Sequence, residues 1–189
     1  LIEGNPWSKY WIPTPWGRLY KKSVIDENNI RFMIVKISED FYFNYVFMSY
    51  AGVVYPITYR GYKWVLRGES ESHKNMRRYN KDRNVLIMLN GLVRDIKRPN
   101  NFEMDYVTYA VVKHVYWYLY YVAKSASKEE LKKIYDECME WLDTNFKGYE
   151  KDPLFSPLKP KGEFMSVRTI LWFSVRMQKL HIFWIFLSI

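Results

Sequence analysis

Two adjacent carboxylates, Glu39 and Asp40, follow Ser38 and open an apolar, aromatic stretch that runs to Ala51. A serine N-cap with acids in the first turn is an ordinary helix start, stabilised by roughly 0.3–1 kcal/mol through the helix dipole. The same dipole favours the ionised carboxylate, so an acid held there is a ready proton acceptor. An alcohol attacking an activated sugar must lose its proton, and a positioned carboxylate typically contributes about 10²–10⁴-fold by taking it. Upstream, Trp16 offers a flat apolar face of the kind that covers the C–H face of a pyranose, although Trp16 and Tyr20 serve equally well as core aromatics. Downstream, Arg67 carries a planar fork of donors suited to a diphosphate, and it fits a solvated strand end too. The loop from Gly68 to His73 adds Ser72; His73 has no second metal ligand in sequence reach and reads as solvated.

The elements that must hold these groups follow from spacing and punctuation. Three prolines among large aromatics make residues 1–15 an irregular lead-in. A short strand is predicted at 18–20, and Ser23 caps a short helix that stops near Asn28-Asn29. Residues 39–51 recur at helical spacing, with Gly52 as the terminator. The β-branched run 53–57 and the alternating run 58–67 predict two paired strands. Beyond 73 the pattern turns helical at 74–96, 102–124 and 128–146, with a capping box at Ser127-Lys128-Glu129-Glu130. Three prolines mark 148–162 as a linker, and 164–189 is a last helical pattern. The expected division is therefore 1–73, 74–147, 148–162 and 163–189.

The chain of 189 residues carries a net charge of +9 and is 19% aromatic. A basic, aromatic composition suits nucleic acid, an anionic membrane or an anionic small substrate. No RNP signature, zinc-ligand spacing or helix-turn-helix accompanies it, which argues against nucleic acid. The lone cysteine, Cys138, excludes a disulfide framework and fits a reducing, cytoplasmic setting. No leader with a cleavage site opens the chain, and a start at Leu1 rather than Met suggests a fragment or a processed chain.

The segment Trp16-Gly17-Arg18-Leu19-Tyr20, with Ser23 and Ile25, the Glu39-Asp40 pair, the run ending in Arg67 and the Ser72 loop together resemble one known pattern. They resemble the C-terminal half of a bacterial family 2 glycosyltransferase with the GT-A fold, of the kind that builds capsular or cell-wall polysaccharide. Arg18 stands where that family more often has Lys, and its Tyr-Tyr-Tyr-Arg run is thinned here to Tyr62 and Trp64. The resemblance covers residues 16–72 well and the helical tail loosely. It implies Asp40 as general base, Glu39 and Trp16 at the acceptor, and Arg67 and Ser72 at the donor nucleotide. It also implies a nucleotide-sugar donor, a saccharide or lipid-linked acceptor, and Mg or Mn on the donor diphosphate. The ligands for that metal are expected outside this chain, because Glu103-Met104-Asp105 opens a helix and Glu150-Lys151-Asp152 lies in the linker. The expected fold is α/β, a partial GT-A-like domain with a short mixed sheet followed by a mainly helical extension.

The tail mixes Arg168, Arg176, Lys179 and His181 with Trp172, Phe173, Phe183, Trp184 and Phe186. Its uncharged run is shorter than the roughly 20 residues a spanning helix needs. A basic, Trp-rich amphipathic helix at the inner face of a membrane is one reading, and a helix packed on the core is the other. A non-catalytic helical module that binds membrane or a partner protein is the alternative to the transferase.

Overall fold

The computed structural model describes residues 14–51, 53–55, 57, 59, 61–63, 65, 79–97 and 101–189, without the side chains of 101–105. Among them the chain forms seven α-helices: α1 (Lys22–Glu27), α2 (Glu39–Tyr50), α3 (Val85–Asp95), α4 (Asn101–Ala123), α5 (Lys128–Asn145), α6 (Met165–Lys179) and α7 (Phe183–Leu187). A single 3-10 turn, η1 (Tyr149–Lys151), follows α5.

Helix α4 is the axis. Val111, Val112, Val115, Leu119 and Val122 are fully buried, and Tyr109, Tyr116, Tyr118 and Tyr121 are buried on its other sides. A helix that is apolar all round has to be surrounded, and α3, α5, α6 and α7 all pack against it. Two of its tyrosines keep partners at their polar tips, the Tyr116 hydroxyl 3.1 Å from that of Tyr149 and Tyr120 2.6 Å from Ser174 Oγ, whereas the buried Tyr109 hydroxyl has none among the described residues. Helix α5 is amphipathic instead and starts with the expected capping box, in which Ser127 Oγ accepts from the Glu130 amide and the Glu130 carboxylate accepts from the Ser127 amide.

Helix α2 carries seven consecutive buried residues, Phe41 to Phe47, and docks on α3. Tyr42 donates to Asp95 at 2.6 Å and so ties the α2–α3 contact at its polar edge. One continuous buried cluster runs from Ile30 through these helices to Leu187.

The expected mixed sheet does not form: among the described residues the sole β-pairing is an isolated bridge between Ser156 and Lys159. The predicted strand at 18–20 is irregular, and the described residues of 53–65 adopt no strand. The reason lies in what a strand needs. Alternating β-branched and aromatic residues favour a pleated ribbon only when a second backbone satisfies the ribbon's N–H and C=O groups. No described segment pairs with it in a ladder, and Val53, Tyr55, Ile57, Tyr59, Tyr62 and Val65 stand exposed. The fold is helical rather than α/β.

Helix limits also differ from the predicted ones. Ser23, the expected cap of the first helix, lies inside α1, whose N-cap is Lys21. Within the pattern at 74–96, residues 79–84 are not helical and α3 starts after Asn84, whose side chain accepts from the Leu86 amide as N-cap. The tail breaks into α6 and α7 at His181, which takes a left-handed conformation at φ 58°.

Candidate functional site

The carboxylate pair lies in the first turn of α2, as its spacing predicts, but Ser38 does not cap it. Ser38 takes a left-handed conformation (φ 66°) and makes no cap bond; its hydroxyl sits 2.7 Å from His114 Nε2 on α4. A non-glycine residue held at positive φ is strained and persists only when its surroundings over-determine it. Here the fastening is the contact with His114, whose ring lies 4.4 Å from that of Phe41. Burial, with Lys113 adding to it, pulls the His114 imidazole down to about 4, so at neutral pH it faces Ser38 uncharged.

Asn44, one turn beyond Asp40, is completely buried and fully employed. Its Nδ2 donates to the Asp40 carbonyl at 2.9 Å. Its Oδ1 accepts from the Tyr20 hydroxyl at 2.6 Å and from Arg18 Nη1 at 3.4 Å. The Tyr20 ring meets Phe43 and Phe47 edge-on at 5.4 and 4.8 Å. The segment Trp16 to Tyr20 is thereby fastened to the first two turns of α2, across more than twenty residues of sequence.

Asp40 itself is half-buried, and its carboxyl is raised above the ordinary range, first by burial and then by the negative charge of Glu39. The net effect opposes the dipole expectation of an easily ionised acid, and it makes the carboxylate a stronger proton acceptor once ionised. Asp40 lies close enough to Tyr20 to help raise that phenol, while Arg18 beside it acts in the opposite direction. Burial lowers the Arg18 guanidinium.

Trp16 is 41% exposed, with its ring 5.8 Å from Tyr62 and tilted by 34°. Gly17 makes the turn beneath it at φ 65°, and a Cβ there would meet Tyr62 Cβ at 3.5 Å. The pair leaves aromatic surface open to solvent near the start of the segment that braces α2. Glu39 and Asp40 sit together in the first turn of α2, and Arg18 and Tyr20, close to Trp16 in the chain, reach Asn44 one turn on. Arg67 and Ser72, with His73, lie outside the described residues.

Sequence reasoning underused three residues. Tyr20 is more than a core aromatic, because its hydroxyl serves Asn44. Asn44 had a visible signal, a lone amide within Phe41-Tyr42-Phe43-Asn44-Tyr45-Val46-Phe47. His114 had none, since its contact with Ser38 spans 76 residues.

A cavity of about 530 Å³ opens elsewhere, between Leu92, Ile96, Val107, Phe146, Lys147 and Lys151, and its lining includes none of the predicted site residues. Among the described residues no three His, Cys, Asp or Glu side chains converge. No helix of the described chain is long and apolar enough to cross a membrane. Comparison with protein-family models, with curated proteins and with solved structures finds no match to this chain.

Proposed function

We propose that this chain is the acceptor side of an inverting glycosyltransferase that moves a sugar from a nucleotide-sugar donor to a saccharide or lipid-linked saccharide. The observation that carries the reading is the clamp through Asn44, which fastens the Trp16–Tyr20 segment to the turn bearing Asp40. It is supported by the raised proton affinity of Asp40 and by the aromatic surface that Trp16 and Tyr62 leave open.

In this scheme an acceptor sugar lies on Trp16, with Glu39 accepting a hydrogen bond from one of its hydroxyls. The attacking hydroxyl gives its proton to the Asp40 carboxylate while its oxygen bonds to the anomeric carbon. The bond from that carbon to the phosphate oxygen breaks on the opposite face, and the nucleoside diphosphate leaves with the electron pair. Configuration at the carbon is inverted. Arg67 and Ser72 belong to the donor side of the proposal. The portion that binds the nucleotide, with its Mg or Mn, is supplied by polypeptide other than these residues. The exposed Leu19, Phe32, Ile34 and Val53 support a further folded portion against this end of the molecule.

A non-catalytic helical module that binds membrane or protein is the second reading. It is favoured by the position of the 530 Å³ cavity, away from Asp40. Steady-state transfer from a panel of nucleotide sugars, in a polypeptide that joins this chain to a donor-binding portion, separates the two. The Asp40→Asn variant should lose about 10²–10⁴-fold in kcat with no loss of melting temperature. Transfer that survives this substitution rules out the carboxylate as base.

A further inference from the structure

Helices α6 and α7 form a hairpin whose inner side closes the core and whose outer side has no described partner. Inside, Leu171, Val175, Phe183 and Leu187 are buried, and Trp184 lies against α5, its ring 5.4 Å from Tyr135 and 5.6 Å from Lys132 Nζ. Outside, Ile170, Phe173, Leu180, Ile182, Ile185 and Phe186 are all exposed. The Phe173 and Phe186 rings meet edge-on at 6.1 Å, so the apolar side chains of the two helices join in one patch. Isolated exposed apolar residues need no explanation, but a contiguous group of large ones marks a binding surface.

The charge around the patch says what covers it. Between Phe164 and Ile189 the chain has three Lys or Arg and no Asp or Glu. Arg168 is turned inward, its Nη1 donating to the Leu158 carbonyl at 2.9 Å. Arg176 and Lys179 are exposed in the last turn of α6. At 3.6 residues per turn, Ile170, Phe173 and Leu180 fall within an arc of about 80°, with Arg176 and then Lys179 along one flank. Long cationic side chains at the edge of an apolar strip can lay their alkyl stems on it and keep their charges at a polar boundary. A strip of branched and aromatic side chains, flanked by cations on a hairpin that carries no acid of its own, matches the headgroup and acyl layers of an anionic bilayer; the nearby Asp136 of α5 is paired with Lys132. A protein partner would ordinarily meet a rim containing both signs of charge.

We infer that the outer face of the α6–α7 hairpin is a docking surface for an anionic lipid bilayer, on which the helices lie in the plane of the interface. The residues that enter the lipid are Phe, Ile and Leu. The tail tryptophans do not lead the insertion, since Trp172 and Trp184 are only partly exposed and Trp184 faces α5. The inference stands without the transferase reading, and its test reads no enzymatic activity.

The experiment is co-sedimentation of the full chain with vesicles of phosphatidylcholine alone and of phosphatidylcholine mixed with phosphatidylglycerol. Binding is expected on the mixed vesicles, weakly or not at all on the neutral ones, and reduced by added salt. The exposed double variant R176Q/K179Q should bind the mixed vesicles on the order of tenfold or more weakly. The variant F173S/I185S should lose binding even at low salt, with its circular dichroism unchanged. Equal binding by R176Q/K179Q and the parent chain would overturn the proposal, as would absence of binding to the mixed vesicles. Sedimentation showing a dimer that F173S/I185S dissociates would overturn it too, by assigning the face to a second copy.

Discussion

Residues 14–65 and residues 79–189 are built on different physical terms. The second region supports itself: α4 is wrapped by α3, α5, α6 and α7, and its largest buried side chains come from several of them. The first has almost no interior of its own. Helix α1 buries nothing, Ile30 is its one buried residue before α2, and Leu19 and Ile34 are 99% and 102% exposed. Only α2 belongs to both. The first region leans on the rest through partly buried side chains such as Val24, Ile25, Met33 and Val35, through Arg18 and Tyr20 bonded to Asn44 of α2, and through Ser38 at the start of α2 bonded to His114 of α4. The candidate carboxylate thus sits on the helix that joins the two regions, while the segment before it is held by fewer buried side chains.

The largest effect should come from the self-supporting region. Leu119→Ala, at a fully buried position in the middle of α4, is expected to cost about 2–5 kcal/mol. Chemical denaturation followed by tryptophan fluorescence and by circular dichroism should show the loss in both signals. An effect confined to 79–189 would break the view that α2 couples the two regions.

Asn44→Ala should act locally. Removing the amide leaves the Tyr20 hydroxyl and the Arg18 guanidinium without this acceptor, at a cost of about 1–3 kcal/mol. Hydrogen exchange by mass spectrometry should show faster exchange in 14–30 and in the first turns of α2, with α4 and α5 unaffected. Uniform acceleration along the chain would show that the two regions are not separable in this way.

How much of this was readable beforehand follows the same division. The self-supporting helices announce themselves: α4 by its long apolar run, α5 by Ser127 and Glu130, α2 by its spacing from Glu39 to Tyr50. Their limits depend on local chemistry and came within a residue or two. The strands at 53–67 were misread because β-branched and aromatic alternation describes only one edge of a ladder. Whether a second edge exists is a property of the whole fold. The break at His181 was also hidden, because no glycine or proline marks it. Around the candidate carboxylate, the place of Glu39 and Asp40 in the first turn of α2 was legible from spacing. The Asn44 clamp was half-visible as a lone amide in an aromatic run. His114 was out of reach, since nothing local distinguishes it from any other histidine on a helix.

Two titrations on either side of Ser38 sharpen the comparison through pH. His114 has a folded-state pKa of about 4, below its ordinary 6.5, so the unfolded chain binds more protons between those values. Its contribution is intact above pH 6.5 and is lost as pH falls toward 4. Asp40 is raised above 3.8, so burying its ionised form opposes folding at neutral pH, and that cost disappears on acidification through the raised value. Melting temperature measured from pH 7 to pH 4 should therefore fall less steeply for His114→Phe than for the parent. Asp40→Asn should match or exceed the parent at pH 7. A steeper acid loss in His114→Phe would remove the uncharged imidazole from the account.

The smallest effect belongs to an isolated cap. Ser127→Ala breaks the capping box of α5 and should cost about 0.5–2 kcal/mol, without changing exchange in 14–50. A response in that segment would connect it to α5 more tightly than the fastenings described here allow.

The central claim rests on the side chain of residue 40, and it is tested most directly by single-turnover sugar transfer. The parent and its Asp40→Asn and Glu39→Gln variants would be compared in a polypeptide that also binds the donor. The account predicts a chemical step slowed by about 10²–10⁴-fold in Asp40→Asn, a smaller loss seated in acceptor KM for Glu39→Gln, and no loss of thermal stability in either. A normal chemical step in Asp40→Asn would contradict it.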